Sequence, residues 1–346
     1  MYTLIIPCAG NSSRFPNMRP KWMLTHPEGK LMVEKAIDGL NSNSFERTII
    51  TILRDHAEKY ESELWLKQIF GDKVEICILE SPTNSQTETV YKTLLEMKVK
   101  GSFCVKDSDG YIAVALKGKN FVTGIDIREM LDLTNVPAKS FVLKNEQNIL
   151  TDIIEKSVSS NHISIGLYGF GDTDQFIDKY LELSSLISTE IYPSHIISSL
   201  IGDGVIFRYL EADKYQDWGT AKEWRNDALK MSSYFVDIDG VVFKNKGRYG
   251  SKNWSGQDVP LISNINRLKE IQKKGGQLIF VTSRPEEFRS KTEESLKEQG
   301  LNWHSIVMSC HHSQRYIIND FASTNQYPSC VAINITRDGD NLEDFI

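Results

Sequence analysis

The sequence has few cysteines and pairs none of them at CxxC spacing. Cys8, Cys77, Cys104, Cys310 and Cys330 are scattered, and three lie inside apolar runs. That excludes a zinc ribbon, a thioredoxin-like redox pair and a disulfide scaffold, and reads as the reduced thiols of an intracellular chain. No apolar run approaches the roughly 18 residues of a membrane span, and the N-terminus has no basic segment ahead of an apolar one. Positive charge is not in excess: 40 Lys and Arg stand against 46 Asp and Glu, a formal net charge of −6. A protein that coats nucleic acid is excluded on that balance, although a local basic cleft for phosphates is compatible with it. Internal repeats and low-complexity linkers are missing as well. With 40% hydrophobic and 25% charged residues the chain is neither disordered nor fibrous. A soluble cytoplasmic protein without nucleic-acid or membrane partners is expected.

What is present is a chain of 346 residues, enough for two domains at roughly 150 residues each. From residue 1 to about 130, short apolar runs (Leu4-Ile5-Ile6, Thr48–Leu53, Val74–Leu79, Phe103–Lys106) alternate with helical patterns at Val33–Leu40, His56–Phe70 and from Ser85 onward. Ser85 and Glu88 have capping-box spacing. Such alternation predicts a parallel sheet covered on both faces, with chemistry in the loops after the strands. The middle predicts a hairpin (Ser140–Leu143 with Asn148–Ile154), a strand at Ile163–Phe170, a helix capped by Asp172, a strand at Val205–Leu210 and a helix through Leu229. The pattern restarts near Met231-Ser232-Ser233, which divides the chain into domains at 1–232 and 233–346. The second holds apolar strands at Tyr234–Val236, Leu278–Val281, Ile306–Met308, Tyr316–Ile318 and Val331–Ile335, with helices from about Leu261 and at Pro285–Gln299.

The loop after the first strand reads Cys8-Ala9-Gly10-Asn11-Ser12-Ser13-Arg14-Phe15, with Pro20-Lys21 beyond. Small residues let backbone N–H groups approach phosphate oxygens, Arg14 offers a fork for them, and Lys21 offers a point charge. Read alone, the loop is equally a surface turn with two solvated cations. Asp107-Ser108-Asp109 closes a strand and Asp217 precedes Gly219-Thr220; carboxylates at strand ends suit Mg²⁺, although each alone also passes as a turn cap.

In this order the pieces resemble the nucleotidyltransferase family that makes nucleotide-activated sugars and related phosphates. Its pattern is a small-residue loop with Arg, a downstream Pro-Lys, a mid-chain strand-end Asp and a late Asp-x-Gly-Thr. The resemblance spans about the first 230 residues. Thr83, Ser85, Gln86 and Thr87 resemble the family segment that holds base and ribose. Glu155-Lys156 resembles its Glu-Lys motif at the acceptor phosphate, and Gly166-Leu167-Tyr168 its strand beside the acceptor pocket. The resemblance implies that Ala9, Gly10, Asn11, Ser12 and Ser13 cradle the nucleotide, and that Arg14 and Lys21 hold the triphosphate. It further implies that Asp109 and Asp217 hold Mg²⁺ with Asp107 in support, and that Glu155, Lys156, Gly166 and Tyr168 receive the acceptor. Ser12 stands where the family has its second glycine. Phe141, Tyr168 and Trp218 are either pocket or core.

The second half carries Asp237-Ile238-Asp239-Gly240 directly after a strand. One Asp can attack a phosphoryl group, the other can protonate the leaving oxygen, and both can help place Mg²⁺. Thr282 ends the next strand, where a hydroxyl meets a transferring phosphoryl group, and Asp320 ends a later one as a further metal ligand. These landmarks resemble the haloacid dehalogenase-like phosphatases over about 234–346. That family has a lysine or arginine before its last aspartate, and here Arg315, Lys291 and Lys297 are the candidates. His311-His312 has no third ligand in view. The short stretch from Asp239 to Thr282 leaves no room for a large cap, so a big substrate, a neighbouring domain or another subunit is needed to cover the site, and a homo-oligomer is expected.

The expected class is therefore α/β: a Rossmann-like mixed-sheet nucleotidyltransferase domain followed by a small uncapped Rossmannoid phosphatase-like domain. The expected activity is Mg²⁺-dependent transfer of a nucleotidyl group from an NTP, CTP or UTP favoured, to a phosphorylated sugar, polyol or amino-alcohol. Phosphomonoester hydrolysis by the second domain, in capsule or surface-glycan precursor synthesis, would accompany it. The alternative is a single activity with the second domain serving oligomerisation.

Overall fold

The computed structural model describes residues 1–130, 136–245, 254–320 and 329–346. They form two compact units, Met1–Trp224 and Arg225–Ile346.

The first unit opens with β1 (Tyr2–Pro7), α1 (Met32–Ile37), β2 (Phe45–Leu53), α2 (Arg54–Tyr60), α3 (Ser62–Phe70), β3 (Glu75–Leu79) and α4 (Gln86–Glu96). It continues with β4 (Phe103–Lys106), β5 (Gly110–Ala113), β6 (Phe121–Asp126), β7 (Ser140–Lys144), β8 (Leu150–Glu155) and β9 (His162–Phe170). Helices α5 (Thr173–Leu186) and α6 (Pro193–Gly202), strands β10 (Arg208–Glu211) and β11 (Lys214–Asp217), and α7 (Ala221–Lys230), which crosses into the second unit, follow. The main sheet runs β10-β6-β9-β4-β1-β2-β3, with β7 on β9 and β8 on β7. Its β3-β2-β1-β4 wing is parallel, as the strand-helix alternation predicts. Strand β9 enters antiparallel between β4 and β6, which makes the sheet mixed.

Both faces of the sheet are covered, and the period of two in β1 shows how: Ile5 joins one apolar cluster, while Leu4 and Ile6 join the other. The stretch expected as a single helix at His56–Phe70 is two, because Glu61 adopts a left-handed φ of 50° between them. At α4 the capping box forms in a shifted version. Ser85 Oγ accepts from Glu88 N at 3.0 Å, while the Glu88 carboxylate accepts from Asn84 N rather than from Ser85 N. Strands β5 and β6 and helix α6 were not legible as elements in the sequence.

In the second unit a parallel sheet of β12 (Ser233–Asp237), β13 (Gln277–Val281) and β14 (Ser305–Val307) packs with α8 (Ile262–Lys273) and α9 (Arg289–Glu298). Ile238, Phe243, Phe280 and Leu296 lie at the heart of its core. The strands expected at Tyr316–Ile318 and Val331–Ile335 do not form. Tyr316, Ile317, Ile318 and Val331 are exposed, with Ile318 at 95%, and among the described residues no strand pairs with them. No helix among the described residues is long and apolar enough to cross a membrane.

Candidate active site

The loop after β1 returns on itself. Phe15 N donates to Ser12 O at 2.8 Å, and Lys21 N donates to Ser12 Oγ at 3.1 Å. Ser12, the residue at the family's glycine position, has φ 49°, so the turn does use the left-handed region that favours glycine. A Cβ built on Gly10 meets nothing within 4 Å, so the loop is open there.

Lys21 Nζ donates to Asp109 Oδ2 at 2.5 Å, and Arg14 Nη2 lies 3.6 Å from the same oxygen. Asp109 comes from the β4–β5 turn, and Asp217 is set beside it by pairing of β5 with β11. Asp217 is in register with Gly110, and Trp218 N donates to Asp109 O at 2.9 Å. Asp217 Oδ1 accepts from Gly219 N at 3.0 Å, and its other oxygen pairs with Lys139. A Cβ on Gly219 would sit 3.3 Å from Arg14 Nη1, so this glycine gives the arginine its room. Residues 14, 21, 109 and 217 thus converge at the edge where the parallel strands β1 and β4 end.

Beneath them Lys106 is fully buried and donates to the carbonyls of Asp107 (2.6 Å) and Gly110 (2.7 Å), pinning the turn that carries Asp109. Burial pushes its ammonium down to about 8, against the pull of Asp107 and Asp109. Burial would raise Asp109 too, but Lys21 and Arg14 outweigh it and hold the carboxyl well below the usual range. Burial and the neighbouring Asp109 raise Asp107, which accepts from Gln86.

The expected base and acceptor residues fare unequally. Gln86 reaches the Asp107 carboxylate, Ser85 caps α4, and Thr83 Oγ1 shares a 2.6 Å bond with Thr89 Oγ1. Thr87 is fully buried, with its hydroxyl unpartnered. Glu155 accepts from Ser140 and Ser194, and Lys156 lies 4.2 Å from the Tyr192 ring centroid and bonds its hydroxyl. Gly166 has φ 83°, and a Cβ there would lie 2.2 Å from Asp107 Oδ2: the glycine admits that carboxylate. Tyr168, Phe141 and Trp218 belong to the apolar core, so their pocket role is set aside; the Tyr168 hydroxyl bonds Ser164 instead. Sequence reasoning missed Lys106, legible as a lone cation ending an apolar run, and Lys139, which no local pattern marks.

In the second unit the parallel register sets Asp237 against Val281, so Thr282 follows alongside it. A cleft of about 350 Å³ is lined by Asp237, Asp239, Thr282, Trp254, Arg315 and Arg337, among others. Burial raises Asp237, against the pull of Arg315, whose Nη1 stands 3.2 Å from its Oδ1. That settles which of three cations faces Asp237. Lys291 donates to the Ser255 and Gly256 carbonyls, and Lys297 lies over the Trp303 ring.

Asp239 is engaged otherwise. Buried Arg284 grips both its oxygens (2.9 and 2.7 Å) and both oxygens of Asp258 (3.0 and 2.9 Å). Both Asp239 oxygens thus accept from Arg284, which ties the residue expected as proton donor to Asp258. Asp320 sits in an exposed segment without strand structure and does not line the cleft, because the strand expected to deliver it is not formed.

A magnesium ion fits the first donor set: two hard carboxylates with room for phosphate oxygens. In the second unit the expected set is incomplete, because Asp320 does not line the cleft, and Arg284 bridges Asp239 to Asp258. Among the described residues no group of three or more His, Cys, Asp or Glu forms a metal cage.

All five cysteines are free, with Cys8, Cys77 and Cys104 buried; burial pushes the Cys8 thiol up to about 12.

No protein-family model and no curated protein sequence matches the chain. Solved structures do. A nucleoside-diphosphate-sugar pyrophosphorylase from Vibrio cholerae RC9 superposes with TM-score 0.55 at 20% identity, covering 64% of this chain and 98% of its own. The inositol-1-phosphate CTP transferase from T. maritima gives 0.51 at 15% identity, over 64% and 91%. A UDP-glucose pyrophosphorylase complexed with UDP-glucose gives 0.51 at 16%, over 66% and 97%. The chain therefore has, over a share about the size of its first unit, the mixed α/β fold of the nucleotide-sugar pyrophosphorylases and nucleotidyltransferases.

Proposed function

We propose that the first unit transfers a nucleotidyl group from an NTP to a phosphorylated sugar, polyol or amino-alcohol and releases pyrophosphate. One observation carries this reading: Arg14 and Lys21 converge on Asp109, with Asp217 beside it, at the edge where β1 and β4 end. An acceptor phosphate oxygen attacks the α-phosphorus in line. The bond to the bridging oxygen breaks, and the β and γ phosphates leave together. The protein's part is positioning and neutralisation. Arg14 and Lys21 draw the triphosphate in, and Lys21, tethered to Asp109, meets the charge that develops on it. Asp109 and Asp217 are the residues that would hold Mg²⁺, which supplies charge neutralisation at the phosphates. CTP or UTP is the favoured donor, and a product of the nucleotide-sugar type is the expected precursor of surface glycan.

Unfolding temperatures in the presence of CTP, UTP, dTTP, GTP or ATP, each with Mg²⁺, test the reading. A nucleotide at 100 times its Kd adds about 2.7 kcal/mol, a rise of about 5–11 °C for a unit of this size. The rise is expected for one or two bases and is expected to vanish in Asp217→Asn. Absence of any shift and of pyrophosphate release across acceptors overturns it.

For the second unit we propose phosphomonoester hydrolysis. The Asp237 carboxylate takes the phosphoryl group as the ester P–O bond breaks and the alcohol leaves with a proton from solvent. Water then cleaves the acyl phosphate to release phosphate, and Arg315 stands at the transferring group with Thr282 beside it. The Arg284 grip on Asp239 favours the other reading, a unit retained for assembly. Phosphate release lost in Asp237→Asn supports hydrolysis; none in the parent supports assembly.

A further inference from the structure

The second cleft holds one more cation than its own carboxylates use. Arg284 is spent on Asp239 and Asp258, and Arg315 stands on Asp237. Arg337 lines the same cleft and has no ion-pair partner among the described residues. Its backbone is not loose. Asp338 N donates to Gly240 O at 3.0 Å, the Asp338 carboxylate accepts from Asn245 N at 2.6 Å, and Gly339 N closes the turn onto Thr336 O at 2.8 Å. The Arg337 stem runs close over Gly240, where a Cβ would come within 3.1 Å of its Cγ. A guanidinium is thus carried on a pinned turn at the mouth of the Asp237 loop, with its fork uncommitted.

We infer that this cleft binds a phosphate ester bearing a second anionic group, with Arg315 on the phosphoryl group beside Asp237 and Arg337 on the other anion. The inference rests on the reading of Asp237 as phosphoryl acceptor. A planar fork matches carboxylate and phosphate oxygens alike, so the shared chemistry is a second multi-oxygen anion on the phosphate ester. A lone phosphomonoester would leave Arg337 without a role in the cleft. Trp254 and His312, whose near-parallel rings stand 6.1 Å apart at 17°, also line the cleft, and among the described residues Arg315 and Arg337 are its arginines.

The test is equilibrium binding to the full chain, using matched ligands with and without the second anion. 3-Phosphoglycerate is set against glycerol 3-phosphate for a carboxylate, and fructose 1,6-bisphosphate against fructose 6-phosphate for a phosphate. In the parent the two-anion member of at least one pair is expected to bind about tenfold tighter, as for one charge-assisted contact. In Arg337→Gln that preference is expected to fall to within about twofold, and Arg337→Lys to restore part of it. Equal affinities within both pairs, or a loss in Arg337→Gln that leaves the ratio intact, overturns the inference. Phosphate release is measured in parallel. If it is absent while the Arg337-dependent preference persists, the hydrolase reading falls and the two-anion site stands.

Discussion

The two units treat their central aspartates in opposite ways. Asp109 is held by Lys21 and Arg14, whose side chains are 22% and 60% exposed, so both cations can turn toward a phosphate at small cost. Asp239 is held by an arginine that is 1% exposed and shares its fork with a second carboxylate. A partly exposed pair contributes little to stability and is exchangeable; a buried one is costly to break from one side. The first arrangement suits a site whose charges must be handed to a substrate. The second fastens a loop, tying the second Asp of the Asp-x-Asp motif to Asp258 through Arg284.

That contrast is open to direct test. The largest effect is expected from Arg284→Met, which leaves Asp239 and Asp258 facing each other. Denaturant unfolding of the full chain is expected to show a loss of about 3–5 kcal/mol in one transition. A loss below 1 kcal/mol would erase the distinction between the units. Lys21→Met is the counterpart. Its stability cost is expected to be smaller than that of Arg284→Met, because Arg14 remains beside Asp109, while pyrophosphate release falls about 10²–10³-fold. A large stability loss with unaltered turnover would make Lys21 a structural residue like Arg284.

Lys106 sharpens the comparison within the first unit, since it is a buried cation there. Its folded value of about 8 lies below the ordinary lysine value of about 10.4. Between the two, the unfolded chain binds one more proton, so stability rises with pH across that window, by about 1–3 kcal/mol. Lys106→Met is expected to flatten the rise, read from unfolding midpoints between pH 7 and 10.5. The smallest effect is Ser85→Ala, which removes the α4 cap at a cost of about 1 kcal/mol.

The sequence carried its local information well. Apolar runs marked the strands β1 to β4, Ser85 and Asp172 marked helix starts, and Asp237 and Thr282 were legible as strand ends. Tyr316-Ile317-Ile318 misled because an apolar run becomes a strand only where a partner edge accepts its hydrogen bonds. Phe141, Tyr168 and Trp218 lie in the apolar core, a matter of which face of a strand or loop turns inward.

By itself, the sequence determined the α/β character, the phosphate-loop composition and the cations available to each half, because these depend on residue type and short-range spacing. Only the tertiary structure decided which charges meet. Asp217 stands beside Asp109 because β11 pairs with β5. Lys139 and Arg284 reach carboxylates far away in the chain, and Arg337 lines the second cleft with no ion-pair partner among the described residues. Long-range pairing depends on sheet register and on which buried charge lacks water. Neither quantity is written in the order of the residues.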